Sequence, residues 1–252
     1  MTDWTALHDE LAQWEREGLS LPLWWRDDDA ISDSAALRQL AQLSQKTQLP
    51  VHIAVIPAHA DTSLADFLSG TPHVIPLVHG WAHENHAPPD QKKTEFGAHR
   101  PLAEMIEDAD RGFGKLHGLF GSRLQPVFVP PWNRISPDLV AELPHLGFKV
   151  LSTATPRKSR WAAEGLEQIN THIDPIDWKG TRGLLDEALL VDRITRLLQD
   201  RRAGRSDADE PLGLLTHHLV HDPAIWSFCE RLIAVLLSGP AQPWQFGKGD
   251  RP

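Results

Sequence analysis

"LPLWWRDDDAISD" (residues 21–33) decides how this chain is read. A short apolar run, Leu21–Trp25, ends in Arg26 and three consecutive aspartates, Asp27, Asp28 and Asp29. Adjacent carboxylates repel one another, and folding alone does not call for three of them. An acidic triplet in a solvated loop would need no explanation. At the exit of a buried strand, however, the backbone presents the first carboxylates at the sheet edge with little freedom, where they can bind a cation or move a proton.

The same pattern recurs along the chain. Apolar runs at Leu21–Trp25, Val51–Pro57, Val74–His79, Pro126–Trp132, Lys149–Ala154, Ile169–Trp178 and Leu212–His218 predict seven strands. Stretches of period 3.6 lie between them, most clearly Leu102, Met105, Ile106, Ala109, Phe113, Leu116 and Phe120, and again Val191, Ile194, Leu197 and Leu198. Ser32–Ser34 offers a helix N-cap ahead of Leu37, Leu40 and Leu43. Strands alternating with helices imply a mostly parallel sheet covered on its faces, as an incomplete (β/α) barrel or a doubly wound sheet. His86–Arg100, Pro156–Gly165, Ala203–Pro211 and the tail after Gly239 read as irregular. None resembles an interdomain linker. A single domain over residues 1–252 is expected, its barrel spanning about 20–238, with an irregular tail at 239–252.

Polar clusters close these runs: the aspartates after the first, "HGWAHENH" after the third, "VPPWNR" after the fourth, "DPIDW" after the sixth and "LLTHHLVHD" after the seventh. In barrels and open α/β sheets the carboxyl ends of parallel strands share one face, where active sites sit. The clusters should therefore converge. His79 and His83 stand at i and i+4, metal-ligand spacing if the chain turns helical there. With aspartate they form an N/O donor set suited to zinc or another divalent transition metal. His217, His218 and His221 include candidates for a general acid or base near neutral pH.

Composition narrows the classes. The net charge of −9 argues against a nucleic-acid partner, and no apolar run approaches a membrane span. The opening "MTDWTALHDELAQWEREG" has no signal-peptide core, so a cytoplasmic location is expected. The single cysteine, Cys229, reads as a buried core residue, and with no tyrosine in the chain no tyrosine can be catalytic. "GFGKLHG" (Gly112–Gly118) follows no strand and is not a phosphate loop, and there is no G-x-S-x-G elbow.

Taken in order, the clusters resemble the five motifs of the polysaccharide deacetylase family, the NodB-homology fold of carbohydrate esterase family 4. They read "DDDA", "HGWAH", "VPPWNR", "DPIDW" and "LTH" between about Leu21 and His218. The resemblance implies a distorted (β/α)₇ barrel. It also implies a metal-dependent hydrolase that removes an N-acetyl or other N-acyl group from an amino sugar or related small amide. Aligned residue by residue, Asp28 takes the general base, Asp29, His79 and His83 the metal site, and His217 the general acid. Asp174, Asp177 and Trp178 take the fourth motif, and Trp132, Arg134 and Trp81 supporting positions in the groove. Asp27 stays open for either aspartate role. The implied cofactor is a divalent ion, zinc first, with cobalt, nickel or manganese compatible. The implied partner is a small-molecule or oligosaccharide N-acetylated substrate.

Two departures stand out. The third-motif arginine is replaced by Val129 or a neighbour, leaving Arg26 or Arg134 to supply its charge, and Ala30 replaces the usual glycine. The missing arginine favours a catalytically impaired, sugar-binding relative. Retention of Asp28, Asp29, both metal histidines and His217 favours catalysis. A non-haem iron oxygenase shares the two-histidine, one-carboxylate donor set, but the alternating β/α order argues against it. Lys92, Lys93 and Glu95, in the loop after the second motif, are further candidates for substrate contact.

Overall fold

A computed structural model describes residues 2–247. Helix α1 (Thr5–Arg16) leads into strand β1 (Leu21–Ala30), followed by α2 (Ala35–Thr47), β2 (Val51–Val55), α3 (Thr62–Ser69), β3 (Val74–His79) and α4 (Leu102–Phe120). Then come β4 (Val127–Val129), α5 (Pro137–Glu142), β5 (Val150–Leu151), β6 (Trp161–Ala163) and β7 (Leu166–Gln168). The chain continues through α6 (Glu187–Arg202), β8 (Leu212–Thr216), α7 (Pro223–Leu237) and β9 (Ala241–Pro243). The sheet runs β6-β7-β5-β4-β3-β2-β1-β8, with β9 paired to the start of β1. Its pairings are parallel except β6 with β7. No helix among the described residues is long and apolar enough to cross a membrane.

The sheet curls into a distorted (β/α)₇ barrel of the expected type. Beyond β7 the chain continues between β5 and β8. Thr171 N–H donates to the Thr153 carbonyl at 3.0 Å, and Leu215 N–H donates to the Ile173 carbonyl at 2.7 Å. Isolated parallel bridges join Ala154 to Thr171 and Ile173 to Leu214. The expected strand Ile169–Trp178 is thus displaced: its ladder begins at Leu166, thins to single bridges, and gives way to a turn at Asp174. Pro175 has no N–H to offer a ladder. The Asp174 and Asp177 carboxylates instead accept the backbone N–H groups of Ile176, Gly180 and Thr181.

Two stretches read as irregular contain strands. Pro156–Gly165 holds β6 and the turn into β7, where Gly165 takes a φ of +75°. The tail after Gly239 holds β9, which extends β1 at its entry end. His86–Arg100 carries no helix or multi-residue strand, as expected.

Alternation along β1 builds two cores. Leu23 and Trp25 face the helix layer, in the large cluster with Leu37, Leu40, Phe228 and Leu232. Trp24 faces the barrel interior with Ala54, Leu77, Val127, Val129, Val150 and Ile169. Its indole donates to the Asn170 carbonyl, and Gly213 makes room for it, since a Cβ there would lie 2.5 Å from the indole nitrogen. The strand period of two carries this inside-outside pattern into the acidic triplet. Ser34 caps α2 by accepting from Leu37 N–H, as expected, and Cys229 is buried in α7.

Candidate active site

The three aspartates meet three different fates. Asp27 follows Leu23 and Trp25 to the helix side, where it accepts hydrogen bonds from the Thr216 hydroxyl (2.6 Å), the His218 backbone N–H (3.0 Å) and the His218 ring. Burial alone would raise its pKa, but the charge and hydrogen bonds of His218, with the Thr216 bond, hold the carboxyl below the ordinary range. His218 is the counterpart: burial disfavours its charge, yet Asp27 raises its pKa. Asp27 is therefore engaged in a buried ion pair and is not among the residues lining the cavity described below.

Asp28 follows Trp24 and Arg26 into the barrel. Arg26 is 0% exposed and Asp28 3%, so the pair is fully enclosed. The guanidinium grips the carboxylate in bidentate fashion, Nε to Oδ1 at 2.9 Å and Nη2 to Oδ2 at 3.0 Å. Its remaining N–H groups donate to the Ser152 hydroxyl (2.8 Å), the Ser152 and Thr153 carbonyls and the Asn133 amide oxygen (2.7 Å). A planar fork with this many donors satisfies a buried carboxylate in a way a lysine would not. Of the two arginines expected to supply the third-motif charge, Arg26 is the one bound to Asp28. Arg134 instead donates to the Lys93 carbonyl.

Asp29 stands where the β1–β2 register shifts, with φ at +75°. The irregularity turns its carboxylate towards β3. Asp29 Oδ1 lies 3.2 Å from His79 Nε2 and 3.4 Å from His83 Nε2. These histidines do not share a helical turn. His79 ends β3, and His83 is brought back by a loop in which Gly80 (φ +55°) and His83 (φ +58°) are left-handed. Gly80 is required there: a Cβ would lie 2.4 Å from the Glu95 carboxylate and 2.6 Å from Pro131. Glu95 is buried and accepts the Trp81 and Ala82 N–H groups, so it shapes this loop rather than facing substrate. Burial raises its pKa.

These residues fit a divalent ion. The ligand atoms of Asp29, His79 and His83 all lie within 4.8 Å of one another. A tetrahedral site with bonds of about 2.0–2.2 Å has ligand atoms roughly 3.3–3.6 Å apart, close to the separations seen. Asp29 Oδ1 is buried without a hydrogen-bond partner, an orphaned acceptor at the centre of the cluster. His79 Nδ1 donates to the Val129 carbonyl at 2.9 Å, which leaves Nε2 with its lone pair towards the cluster. Burial would raise the Asp29 pKa, but the adjoining His79, with His217 and His83, holds it far below the ordinary carboxylate range. Burial lowers the His83 pKa, favouring the neutral ligand form.

Asp28, Asp29, His79, His83, Trp132, Asn133, Arg134, Asp174, Trp178, Leu215 and His217 converge on one cavity of about 700 Å³. His217 continues the inward face of β8, and its Nε2 lies 4.0 Å from Asp28 Oδ2. Trp178 meets its ring edge-on, with centroids 4.7 Å apart, and the His217 backbone N–H donates to His221 Nε2. Burial pushes the His221 pKa down to about 4, keeping that ring a neutral acceptor. Trp132 covers His83, with ring centroids 4.3 Å apart. Asp174 accepts from Ile176 N–H and Trp178 Nε1 and makes no hydrogen bond to His217, whose Nδ1 is buried without a partner. Burial raises the Asp174 pKa.

Two expected groove residues lie elsewhere. Trp81 is not in the cavity wall: it packs against the outer core with the Arg111 guanidinium 3.8 Å above its ring, because the left-handed Gly80 turns it towards α4. Asp177 is not in the wall either and serves its own turn. Sequence reasoning missed Asn133, Ser152 and Arg182. Asn133 and Ser152 hold Arg26 from other strand exits, and no spacing rule in the sequence connects them to it.

No protein-family model matches the sequence, and no curated protein does. Solved structures do. The chain is similar to a family 4 carbohydrate esterase from Streptomyces lividans in complex with acetate, at 14% identity and a TM-score of 0.58, covering 90% of this chain and 93% of that one. It is similar to a family 4 acetyl xylan esterase from Clostridium thermocellum in complex with a cobalt ion, at 12% identity and a TM-score of 0.51, covering 86% and 84%. It is also similar to a CE4 family pseudoenzyme from Bacillus anthracis, at 11% identity and a TM-score of 0.57, covering 87% and 61%. The chain therefore has the NodB-homology fold of the family 4 carbohydrate esterases and polysaccharide deacetylases, a fold that carries both enzymes and a pseudoenzyme.

Proposed function

We propose that the chain is a metal-dependent amide hydrolase that removes an N-acetyl or other N-acyl group from an amino sugar or related small amide. The observation that carries this reading is the convergence, on one cavity, of the Asp29–His79–His83 donor set with Asp28 and His217 on β1 and β8. A divalent ion held by those three residues, zinc in the first place, would polarise an acyl carbonyl and acidify water. Asp28, clamped by Arg26, is oriented to take a proton from that water. His217 faces the cavity with Nε2 and is placed to protonate the departing amine, a poor leaving group otherwise. Trp178 holds the His217 ring, and Trp132 excludes solvent from His83. Aromatic faces at both positions suit a sugar ring.

Arg26 also bears on the sugar-binding alternative. The missing third-motif arginine was its support, and a bidentate arginine on β1 removes that support. The test is a screen of N-acetylated sugars with zinc- or cobalt-loaded protein, detecting released acetate. Turnover lost in His217→Ala with metal content retained supports the reading. No release of acid from any N-acetyl or other N-acyl compound by the metal-loaded protein overturns it.

A further inference from the structure

The cavity wall is more cationic than a neutral sugar requires. Lys93, Arg134 and Arg182 line it, opposite Asp28, Asp29 and Asp174. None of the three cations has a carboxylate within 4.0 Å among the described residues. Most other arginines do, including Arg38, Arg100, Arg111, Arg157, Arg160, Arg196, Arg202, Arg205 and Arg231. In a chain of net charge −9, acidic partners are plentiful. Two unpaired arginines, joined by Lys93 at one opening, stand out against that background.

Their placement is also ordered. Arg134 donates to the Lys93 carbonyl, joining the two on the wall that holds Trp132 and His83. Arg182, left-handed at φ +61°, lays its guanidinium 5.3 Å from the Trp178 ring, on the wall that holds His217. The cavity therefore has one cationic pole beside the donor cluster and another beside the proposed proton donor. Within the wall, Asp28 is already neutralised by Arg26, and a divalent ion on Asp29 would leave the cavity net positive. Such a field concentrates anions at the opening.

We infer that the substrate is anionic: an N-acylated compound carrying a carboxylate or phosphoryl group, read by Arg182 and by Lys93 with Arg134. This rests on the proposed amide hydrolysis at the same cavity and adds the charge class of what enters it. A guanidinium stacked on an aromatic ring is pre-oriented for bidentate contact with either anion.

The experiment compares N-acetylglucosamine, N-acetylglucosamine 6-phosphate and N-acetylmuramic acid on zinc-loaded protein, by kcat/KM and by calorimetric binding, at 0.05 and 0.5 M NaCl. An anionic compound should exceed the neutral sugar by about tenfold or more at low salt, and the preference should shrink at high salt, where screening shortens to a few ångströms. Arg182→Gln and Arg134→Gln should each lower the anionic-to-neutral ratio, and Arg182→Lys should restore part of it. Equal values for neutral and anionic compounds, or a ratio unmoved by both glutamine variants, overturn the inference while leaving the hydrolase reading intact. Preferential binding of an anionic compound without hydrolysis of any of the three supports the inference and counts against the hydrolase reading.

Discussion

Breaking the Arg26–Asp28 pair from one side has a calculable effect. In Arg26→Met the side chain keeps much of its volume but loses every hydrogen bond, and the Asp28 carboxyl, 3% exposed, loses its counter-charge. Removing one partner of a buried pair costs about 3–5 kcal/mol, because the other charge is left uncompensated. The Ser152 and Asn133 oxygens also lose their donor. At roughly 2–4 °C per kcal/mol for a chain of this size, the melting temperature should fall by about 6–20 °C. Asp28→Leu alone strands the guanidinium and should cost a similar amount. Arg26→Met with Asp28→Leu removes both charges together, so its cost should lie well below the sum of the two. The coupling should be about 2–3 kcal/mol. Urea unfolding of the metal-free protein at pH 7 measures all three variants without the contribution of a bound ion. Arg26→Lys, which keeps the charge but not the fork, should fold better than Arg26→Met yet lower kcat/KM by about tenfold or more, because Asp28 loses its second hydrogen bond. An Arg26→Met cost under about 1 kcal/mol, or an additive cycle, would refute the claim that this pair is one buried unit.

Zinc at about 100 times its Kd should stabilise the wild-type protein by ~2.7 kcal/mol in a thermal scan; His79→Ala should lose that gain and His217→Ala keep it, with metal content measured in parallel. His217→Ala should also lose about 10²–10⁴ in rate, so retained turnover would remove it as the acid. The Asp27–His218 pair should contribute most between about pH 4 and 6.5, the ordinary carboxylate and imidazole values. Asp27, with its folded pKa lowered, loses its share as pH falls through that folded value, and His218, with its folded pKa raised, loses its share as pH rises from about 6.5 through its folded value. The unfolding free energy of wild type minus His218→Gln, followed across pH, should therefore peak in that window, and a flat difference would refute the pairing. Gly80→Ala should cost about 1–3 kcal/mol and weaken zinc binding, because its Cβ collides with Glu95 and Pro131 in the loop that carries His83; unchanged zinc affinity by calorimetry would count against that loop geometry.

Much of this molecule is local and so was legible in the chain alone. Apolar runs alternating with period-3.6 stretches pointed to a mostly parallel, helix-covered sheet, as a barrel or doubly wound, and the resemblance of the motifs narrowed this to a (β/α)₇ barrel. The residue types at the strand exits, Asp28, Asp29, His79, His83 and His217, marked the candidate site, since parallel strands bring their carboxyl ends to one face. Strand alternation even contained the sorting of the triplet, with Trp25 and Asp27 on one side and Trp24, Arg26 and Asp28 on the other. Only the fold showed which side was the interior. Tertiary structure decided what depends on partners distant in sequence: Asp27 bound to His218, Arg26 anchored by Ser152 and Asn133, and Trp81 turned away by Gly80 against Glu95 and Pro131. It also decided the closure between β5 and β8, where the run expected to form a full strand at Ile169–Trp178 holds the barrel only through single bridges at Thr171 and Ile173. A hydrogen bond to a group more than a hundred residues away leaves no periodicity in the chain, and that is why the anchoring of Arg26 by Ser152 and Asn133 became visible only when the strands were assembled.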